Sequence, residues 1–293
     1  MKIQLTGASG FVGQNLLQYL NKYNLQSLSF RYQAEQKIQL SSDVVIHLAG
    51  KAHDLKNVSQ PSSYYEANYE LTRQLYDAFL QSDASKFIFI SSVKAAADAV
   101  EGVLTEEIIP KPKTHYGISK LMAEEYIQSK PLPKGKAYYI LRPCMIHGPG
   151  NKGNLNLLYQ FVKKGIPYPL AIFENKRSFL SVENLCFVIN ELIKQEIPSG
   201  IYQLADDESL STNELVKEIA LARGTRANLW AIPAGLIKLL AKAGDVLRLP
   251  LNSERLQKLT ESYVVSNYKV KQALAKELPV SARKGLQKTI QSF

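Results

Sequence analysis

Thr6-Gly7-Ala8-Ser9-Gly10-Phe11-Val12-Gly13 is the stretch that decides the fold. It follows a short apolar strand over residues 2–6 and opens a helix that should run through about Tyr23. The spacing is G-x-x-G-x-x-G. Gly7 and Gly10 permit a tight turn and a close backbone approach to a pyrophosphate, which then sits at a positive helix N-terminus. Gly13 lets the helix pack close to the strand. A strand, a glycine turn and a helix in that order form a dinucleotide cradle.

Working outward, Leu25 to Phe30 reads as a second strand, and Asp43-Val-Val-Ile-His-Leu-Ala49 is an apolar run of the kind buried in a parallel sheet. A helical stretch covers about 62–81, Phe87 to Ser91 is another buried strand, and Thr114 is the N-cap of a helix to about Ser129. Ala137 to Arg142 is a strand closed by Pro143. Strands alternating with helices give an α/β fold with a doubly wound parallel sheet. From about residue 146 the pattern loosens. The expected division is a dinucleotide-binding domain over 1–145, with segments at about 178–204 returning to the main sheet, and a smaller substrate-binding region over 146–177 and 205–293.

Of 293 residues, 45% are hydrophobic and 21% charged, an ordinary soluble composition. The net charge of +10 comes from scattered lysines, which does not favour a nucleic-acid partner. The excess reads either as general surface basicity or as attraction to a polyanionic ligand or membrane phosphate. Cys144 and Cys186 are the only cysteines, so there is no disulfide framework and no metal cluster is expected. No apolar run approaches the length that spans a bilayer, and Met1 leads straight into the glycine motif, leaving no room for a signal peptide. A cytoplasmic location is expected.

The second motif is Tyr116-Gly-Ile-Ser-Lys120, a phenol and an ammonium four residues apart on one helix face. A tyrosine with its ordinary pKa of about 10 is a poor acid or base at neutral pH, and a nearby ammonium favours the phenolate. Lys120 can supply that charge while its amine reaches a cofactor ribose. Ser92, at a strand end, can donate to a substrate oxygen. Arg31 stands where an acidic residue would grip an adenosine ribose; it either pairs with a 2′-phosphate or is a solvated loop residue, so NAD and NADP both remain open.

Together with Asp43-Val-Val-Ile-His-Leu-Ala-Gly50, Ile90-Ser-Ser92 and Leu141-Arg-Pro143, these motifs resemble the extended short-chain dehydrogenase/reductases, and within them the nucleotide-sugar epimerase/dehydratase family. The resemblance spans nearly the whole chain and implies a Rossmann-type sheet. It implies a catalytic triad of Ser92, Tyr116 and Lys120. Gly7, Gly10, Phe11 and Val12 would contact the cofactor diphosphate. Leu48, Ala49 and Gly50 would line adenosine and ribose, and Pro143 would begin the turn facing the nicotinamide carboxamide. Asn68 matches the family's helix asparagine. On the substrate side Asn154 would lie near a phosphate, and Arg177 resembles the arginine pairing with the nucleotide diphosphate. Arg255 is either a second diphosphate contact or an exposed helix residue. Lys51 and His53 reach the pyrophosphate or sugar, or are loop residues. His115 should face away from the site, and Cys144 is a packing residue. A homodimer through the two long helices is a family expectation.

Two departures bear on the reaction. The family's acidic adenine contact is not evident, and Val93 and Lys94 stand where dehydratases carry an acidic pair, so dehydration is not expected. The resemblance therefore implies a UDP-hexose or UDP-N-acetylhexosamine 4-epimerase. The alternative is an NADPH-dependent 4-ketoreductase of a UDP-4-keto-6-deoxy sugar. A non-catalytic nucleotide sensor is disfavoured by the presence of both Tyr116 and Lys120. The amphipathic run Leu236-Ile-Lys-Leu-Leu-Ala-Lys-Ala243 packs in the small region or attaches to a membrane surface.

Overall fold

The computed structural model describes residues 1–52, 60–151, 153–247 and 252–293. The chain begins with β1 (Lys2–Thr6), α1 (Phe11–Tyr19), β2 (Asn24–Leu28) and β3 (Val44–His47). α2 (Ser62–Tyr65) leads through a π-helical turn at Glu66–Glu70 into α3 (Leu71–Gln81), followed by β4 (Lys86–Ile90), β5 (Val103–Leu104), α4 (His115–Ser129) and β6 (Ala137–Pro143). Beyond these lie β7 (Met145–His147), α5 (Asn154–Lys163), β8 (Phe179–Ser181), α6 (Val182–Lys194) and β9 (Gly200–Leu204). The last elements are α7 (Thr212–Ala222), α8 (Ala234–Leu247), α9 (Ser253–Thr260), β10 (Val264–Val265), α10 (Tyr268–Leu274) and α11 (Ala282–Gln291).

The main sheet has six parallel strands in the order β2-β1-β3-β4-β6-β9, as expected of a doubly wound fold. Its strands are buried on both faces, with successive side chains feeding opposite cores. Ile46, Ile88, Ile90 and Leu141 join one core, which α1 and α6 cover. Val45, Phe87, Phe89 and Ile140 join the other, together with Leu75, Tyr76 and Phe79 of α3 and Ala123 and Ile127 of α4. The order reverses between β1 and β3, where chain connections leave in opposite directions. In open parallel sheets ligands bind at this switch point, beyond the carboxyl ends of the strands.

Four local features differ from expectation. α1 stops at Tyr19, where the chain turns so that the Tyr23 N–H reaches the Leu20 carbonyl at 2.9 Å. β2 ends at Leu28 instead of Phe30, because Phe30 folds over with Tyr32, Ile38 and Leu40 onto the second core. The helix expected over 62–81 contains the π turn. Finally, 178–190 divides: Phe179–Ser181 pairs with β7 in a separate two-stranded sheet, Ser181 caps α6 by accepting from the Asn184 N–H at 3.1 Å, and α6 returns to cover the main sheet. Gly200–Leu204 does join the main sheet, as its edge strand beside β6. The two-residue pair β5–β10 had no sequence signal.

Candidate active site

Sterics define the crevice at the switch point. Gly7 has φ +73°, and a Cβ there would lie 2.6 Å from the Ala49 nitrogen and 2.9 Å from the Leu48 carbonyl carbon. Gly13 allows no Cβ either, because it would run into the Gly7 oxygen and Ala8. Gly10 caps α1 with no side-chain hydrogen bond, so the helix presents its first N–H groups unclaimed by a cap, the arrangement an anion requires. Phe11 and Val12 form the first turn of α1 and pack on the core beneath. Leu48, Ala49 and Gly50 follow β3 directly across from the turn. A Cβ on Gly50 would meet Asn68 Oδ1 at 2.7 Å and Lys120 Nζ at 3.1 Å, so the far wall of the crevice is also pressed against backbone. These residues fit a dinucleotide. Arg31 is exposed three residues beyond β2, on the adenosine side of the glycine turn.

Asn68 ties this crevice to the catalytic helix. It is fully buried on the π turn, a one-residue excess that is frequent at functional sites. Its Oδ1 accepts from the Lys51 N–H at 2.8 Å, and its Nδ2 donates to the Lys51 carbonyl and to Ser119 Oγ, both at 3.0 Å. The Asn68 carbonyl takes the Thr72 hydroxyl at 2.7 Å. Thr72 meets His47 Nε2 at 2.9 Å, and His47 Nδ1 meets Thr6 Oγ1 at 2.7 Å. One polar chain thus runs from β1 through β3 to the π turn and α4. Burial drives the His47 pKa down to about 3, with the Lys120 charge acting the same way, so His47 is a neutral strut.

Tyr116, Lys120 and Glu124 succeed one another at helical turns along α4, whose N-cap is Thr114 as expected, accepting from the Gly117 N–H at 3.2 Å. Ser92 ends the strand segment after β4. Its hydroxyl accepts from the Lys94 N–H at 3.2 Å and is near enough to the Tyr116 phenol to favour its ionised form. The structure therefore brings Ser92 and Tyr116 together at the mouth of the crevice. The Lys120 amine, 4% exposed, donates to the Ile90 carbonyl at 2.8 Å and lies 4.6 Å from the centre of the Phe89 ring.

Electrostatics here depart from the simple picture of an ammonium lowering a phenol. Burial raises the Tyr116 pKa; the Ser92 hydroxyl opposes this and the Glu124 charge adds to it. Burial lowers Lys120 to about 8, with Glu124 pulling upward. Desolvation outweighs the pairing because it penalises both charged forms at once.

Glu124 and Arg142 escaped the sequence analysis as functional residues. Both are buried, and Arg142 Nη2 lies 2.5 Å from Glu124 Oε2, with Nε at 3.0 and 3.1 Å from the two carboxylate oxygens. Ser91 also donates to Glu124. This pair closes the floor under Lys120. Its only signal was Glu124 standing one turn beyond Lys120, as Lys120 stands one turn beyond Tyr116.

On the substrate side the placements differ. Asn154 is exposed at the start of α5, whose N-cap Gly153 makes no side-chain bond. Arg177 is half-buried and lies against α9: Nε donates to the Glu261 carbonyl at 3.2 Å and Nη2 to the Lys258 carbonyl. Burial lowers its pKa. Arg255 is exposed on α9 itself, the helix whose C-terminal carbonyls hold Arg177. Lys94, also missed, lies 4.3 Å over the Tyr263 ring and donates to the Asp98 carbonyl at 2.8 Å. Burial lowers its pKa, Asp98 and Glu261 oppose this, and Arg177 and Lys258 add to it, so Lys94 sits beside Ser92 among charges of both signs. Lys51 Nζ donates to Ser63 Oγ at 3.0 Å. His115 faces Tyr65 at 3.0 Å, away from the catalytic groups. Pro143 closes β6, and Cys144 is buried with its thiol pKa pushed far up. His53 lies outside the described residues.

The model of the NAD dependent epimerase/dehydratase family matches residues 3–205, more than half of the chain. The chain belongs to this family. It is 30% identical to a UDP-glucose 4-epimerase of Vibrio cholerae over 99% of this chain and 95% of that one. It is 28% identical to an N-acetyl-α-D-glucosaminyl-diphospho-ditrans,octacis-undecaprenol 4-epimerase of Escherichia coli O157:H7, over 93% and 85%. Among solved structures, the UDP-N-acetylglucosamine 4-epimerase of Bacillus cereus superposes with a TM-score of 0.76 at 22% identity, covering 99% of this chain and 98% of that one. Membership confirms the expected fold and an enzyme of the NAD(P)-dependent nucleotide-sugar class. Among the described residues no His, Cys, Asp and Glu cluster fit for a metal occurs, and no helix is long and apolar enough to cross a membrane.

Proposed function

We propose that the protein is a 4-epimerase of a UDP-hexose or UDP-N-acetylhexosamine, working through a 4-keto sugar. The observation that carries this reading is the convergence of Ser92 and Tyr116 at the mouth of the glycine-lined crevice, with Lys120 buried one helical turn below. When bound, the nicotinamide supplies a hydride acceptor that can also give the hydride back. Tyr116 takes the proton of the sugar 4-hydroxyl and returns it at the end. Ser92 holds the C4 oxygen by hydrogen bond in both directions. Lys120 orients the cofactor ribose hydroxyls and completes the proton path. Asn154, Arg177 and Arg255 hold the diphosphate while the keto sugar turns over between hydride departures. In this reading 1–145 with segments at about 178–204 bind the dinucleotide, and 146–177 with 205–293 cover the sugar nucleotide. The active form is a homodimer through α3 and α4 in the cytoplasm.

Arg31 favours a second reading, an NADPH-dependent 4-ketoreductase of a UDP-4-keto-6-deoxy sugar. An exposed guanidinium beyond β2 suits a 2′-phosphate where a carboxylate would repel it. The two readings separate on one experiment. UDP-glucose, UDP-N-acetylglucosamine and a UDP-4-keto-6-deoxy sugar are supplied in turn while absorbance at 340 nm and product NMR are followed. Epimer formation without net absorbance change upholds the first; NADPH loss with the keto sugar alone upholds the second. In either case Tyr116→Phe lowers kcat about 10²–10⁴-fold with an unchanged circular dichroism spectrum. Full turnover by that variant would remove Tyr116 from the proton path.

A further inference from the structure

α8 carries two apolar faces, although a helix at the edge of a core needs only one. Ile237, Ala241 and Gly244 form its buried stripe, and the first two pack with Tyr168, Leu170, Val216 and Leu256. At about 100° per residue, Leu236, Leu239, Leu240, Ala243, Val246 and Leu247 fall on a second arc turned away from that stripe. The five large side chains on it are 50–81% exposed. Lys238 and Lys242, one turn apart and both exposed, run along one border of this arc. The only carboxylate on the helix, Asp245, lies off the arc and is engaged by the Ser253 N–H at 2.9 Å and its hydroxyl at 2.5 Å.

We propose that this outer face of α8 seats on an anionic lipid bilayer surface. An apolar arc bordered by lysines, with no carboxylate upon it, matches the boundary between acyl chains and acidic headgroups. The chain's net charge of +10 adds long-range attraction of the same sign. A second copy of the chain is the weaker occupant on area. The face measures about 21 Å by about 10 Å in projection, on the order of 200 Å², well short of the ~800 Å² per partner of a stable protein interface. The inference holds whichever sugar reaction the enzyme performs, because α8 carries none of the proposed catalytic groups.

The test is flotation of the full chain with vesicles of phosphatidylcholine, alone or mixed with phosphatidylglycerol. The protein should float with the anionic vesicles only, and raised salt should release it. Lys238→Gln/Lys242→Gln should lower the partition coefficient on the order of 30-fold, the loss of two lysines' attraction. Leu239→Ser/Leu240→Ser should abolish flotation while turnover of soluble sugar nucleotide stays unchanged. Trp230, the single tryptophan, four residues before α8 and 54% exposed, gives a second readout through its emission on vesicle addition. Absence of flotation, or equal flotation by the serine variant, overturns the proposal. So does a dimer of the wild type that becomes a monomer in the serine variant by sedimentation velocity, which assigns the face to a second copy.

Discussion

Gly7 and Gly224 have nearly the same backbone, φ +73° and +67°, in opposite surroundings. Around Gly7 a Cβ would meet backbone at 2.6 Å, whereas around Gly224 nothing lies within 4 Å. The same contrast separates the dinucleotide crevice from the region that covers it. In the crevice, Gly7 and Asn68 are held against main chain, His47 is held between two threonine hydroxyls, and the charged groups Lys120, Glu124 and Arg142 are all buried. In the covering region Gly150, Gly165 and Gly224 only turn the chain, and an arginine such as Arg283 is half exposed among Glu208, Glu214 and Glu218. The crevice is specified by fit throughout, whereas the covering region is specified by fit only at its base, around Gly148 and Gly285, and elsewhere by turn chemistry and surface charge. Mutations should therefore hurt the first far more than the second.

The largest contrast is between the two ion-pair groups. Glu124→Ala leaves Arg142 buried and unpaired and should cost about 3–5 kcal/mol in urea unfolding, whereas Arg283→Ala should cost less than about 1 kcal/mol. Replacing both partners, Glu124→Leu with Arg142→Met, should recover most of the loss. If the single Glu124→Ala change is nearly neutral, water reaches the pair and the crevice floor is not dry. Next come the glycines. Gly7→Ala should cost about 3 kcal/mol and abolish dinucleotide binding in calorimetry, while Gly224→Ala pays only the left-handed backbone penalty of about 1 kcal/mol. Equal losses at both would mean that φ, and not close approach, sets the requirement at Gly7.

At neutral pH the third effect is silent, because it is one of pH. The folded pKa of His47, about 3, lies below its ordinary 6.5, so between these values the unfolded chain binds the extra proton. Its contribution to stability is complete above pH 6.5 and is lost as pH falls toward 3. At pH 5 the loss is roughly 2 kcal/mol. Stability curves of the native chain and His47→Gln should therefore converge on acidification. Parallel curves would show that His47 is not buried neutral.

The crevice was legible because its constraints are local: a glycine turn between strand and helix, and Tyr116 and Lys120 one turn apart. The six-strand sheet was legible for the same reason, since runs such as Phe87-Ile-Phe-Ile90 are apolar on both faces. What escaped depends on distant partners. Glu124 reads as an ordinary helix glutamate until Arg142 arrives from β6. The π turn leaves helical periodicity almost untouched, yet it delivers Asn68 to Lys51 and Ser119. The stretch 178–190 was legible only as an apolar run returning to the main sheet, because the cap at Ser181, which divides it into a strand beside β7 and the covering helix α6, leaves its hydrophobicity unchanged. α8 was legible as an amphipathic helix that packs in the covering region, through Ile237 and Ala241.

Helix α11 closes onto β7 across a long stretch of chain. His147, at the end of β7, is buried, and its Nδ1 meets Thr289 Oγ1 of α11 at 2.9 Å. Gly285 of the same helix packs against Ser181 and the His147 ring. Nearly half the sequence separates these partners. A contact of that span closes a long loop and must wait for the elements between to be placed, so the covering region assembles more slowly than the locally connected glycine turn and its helix.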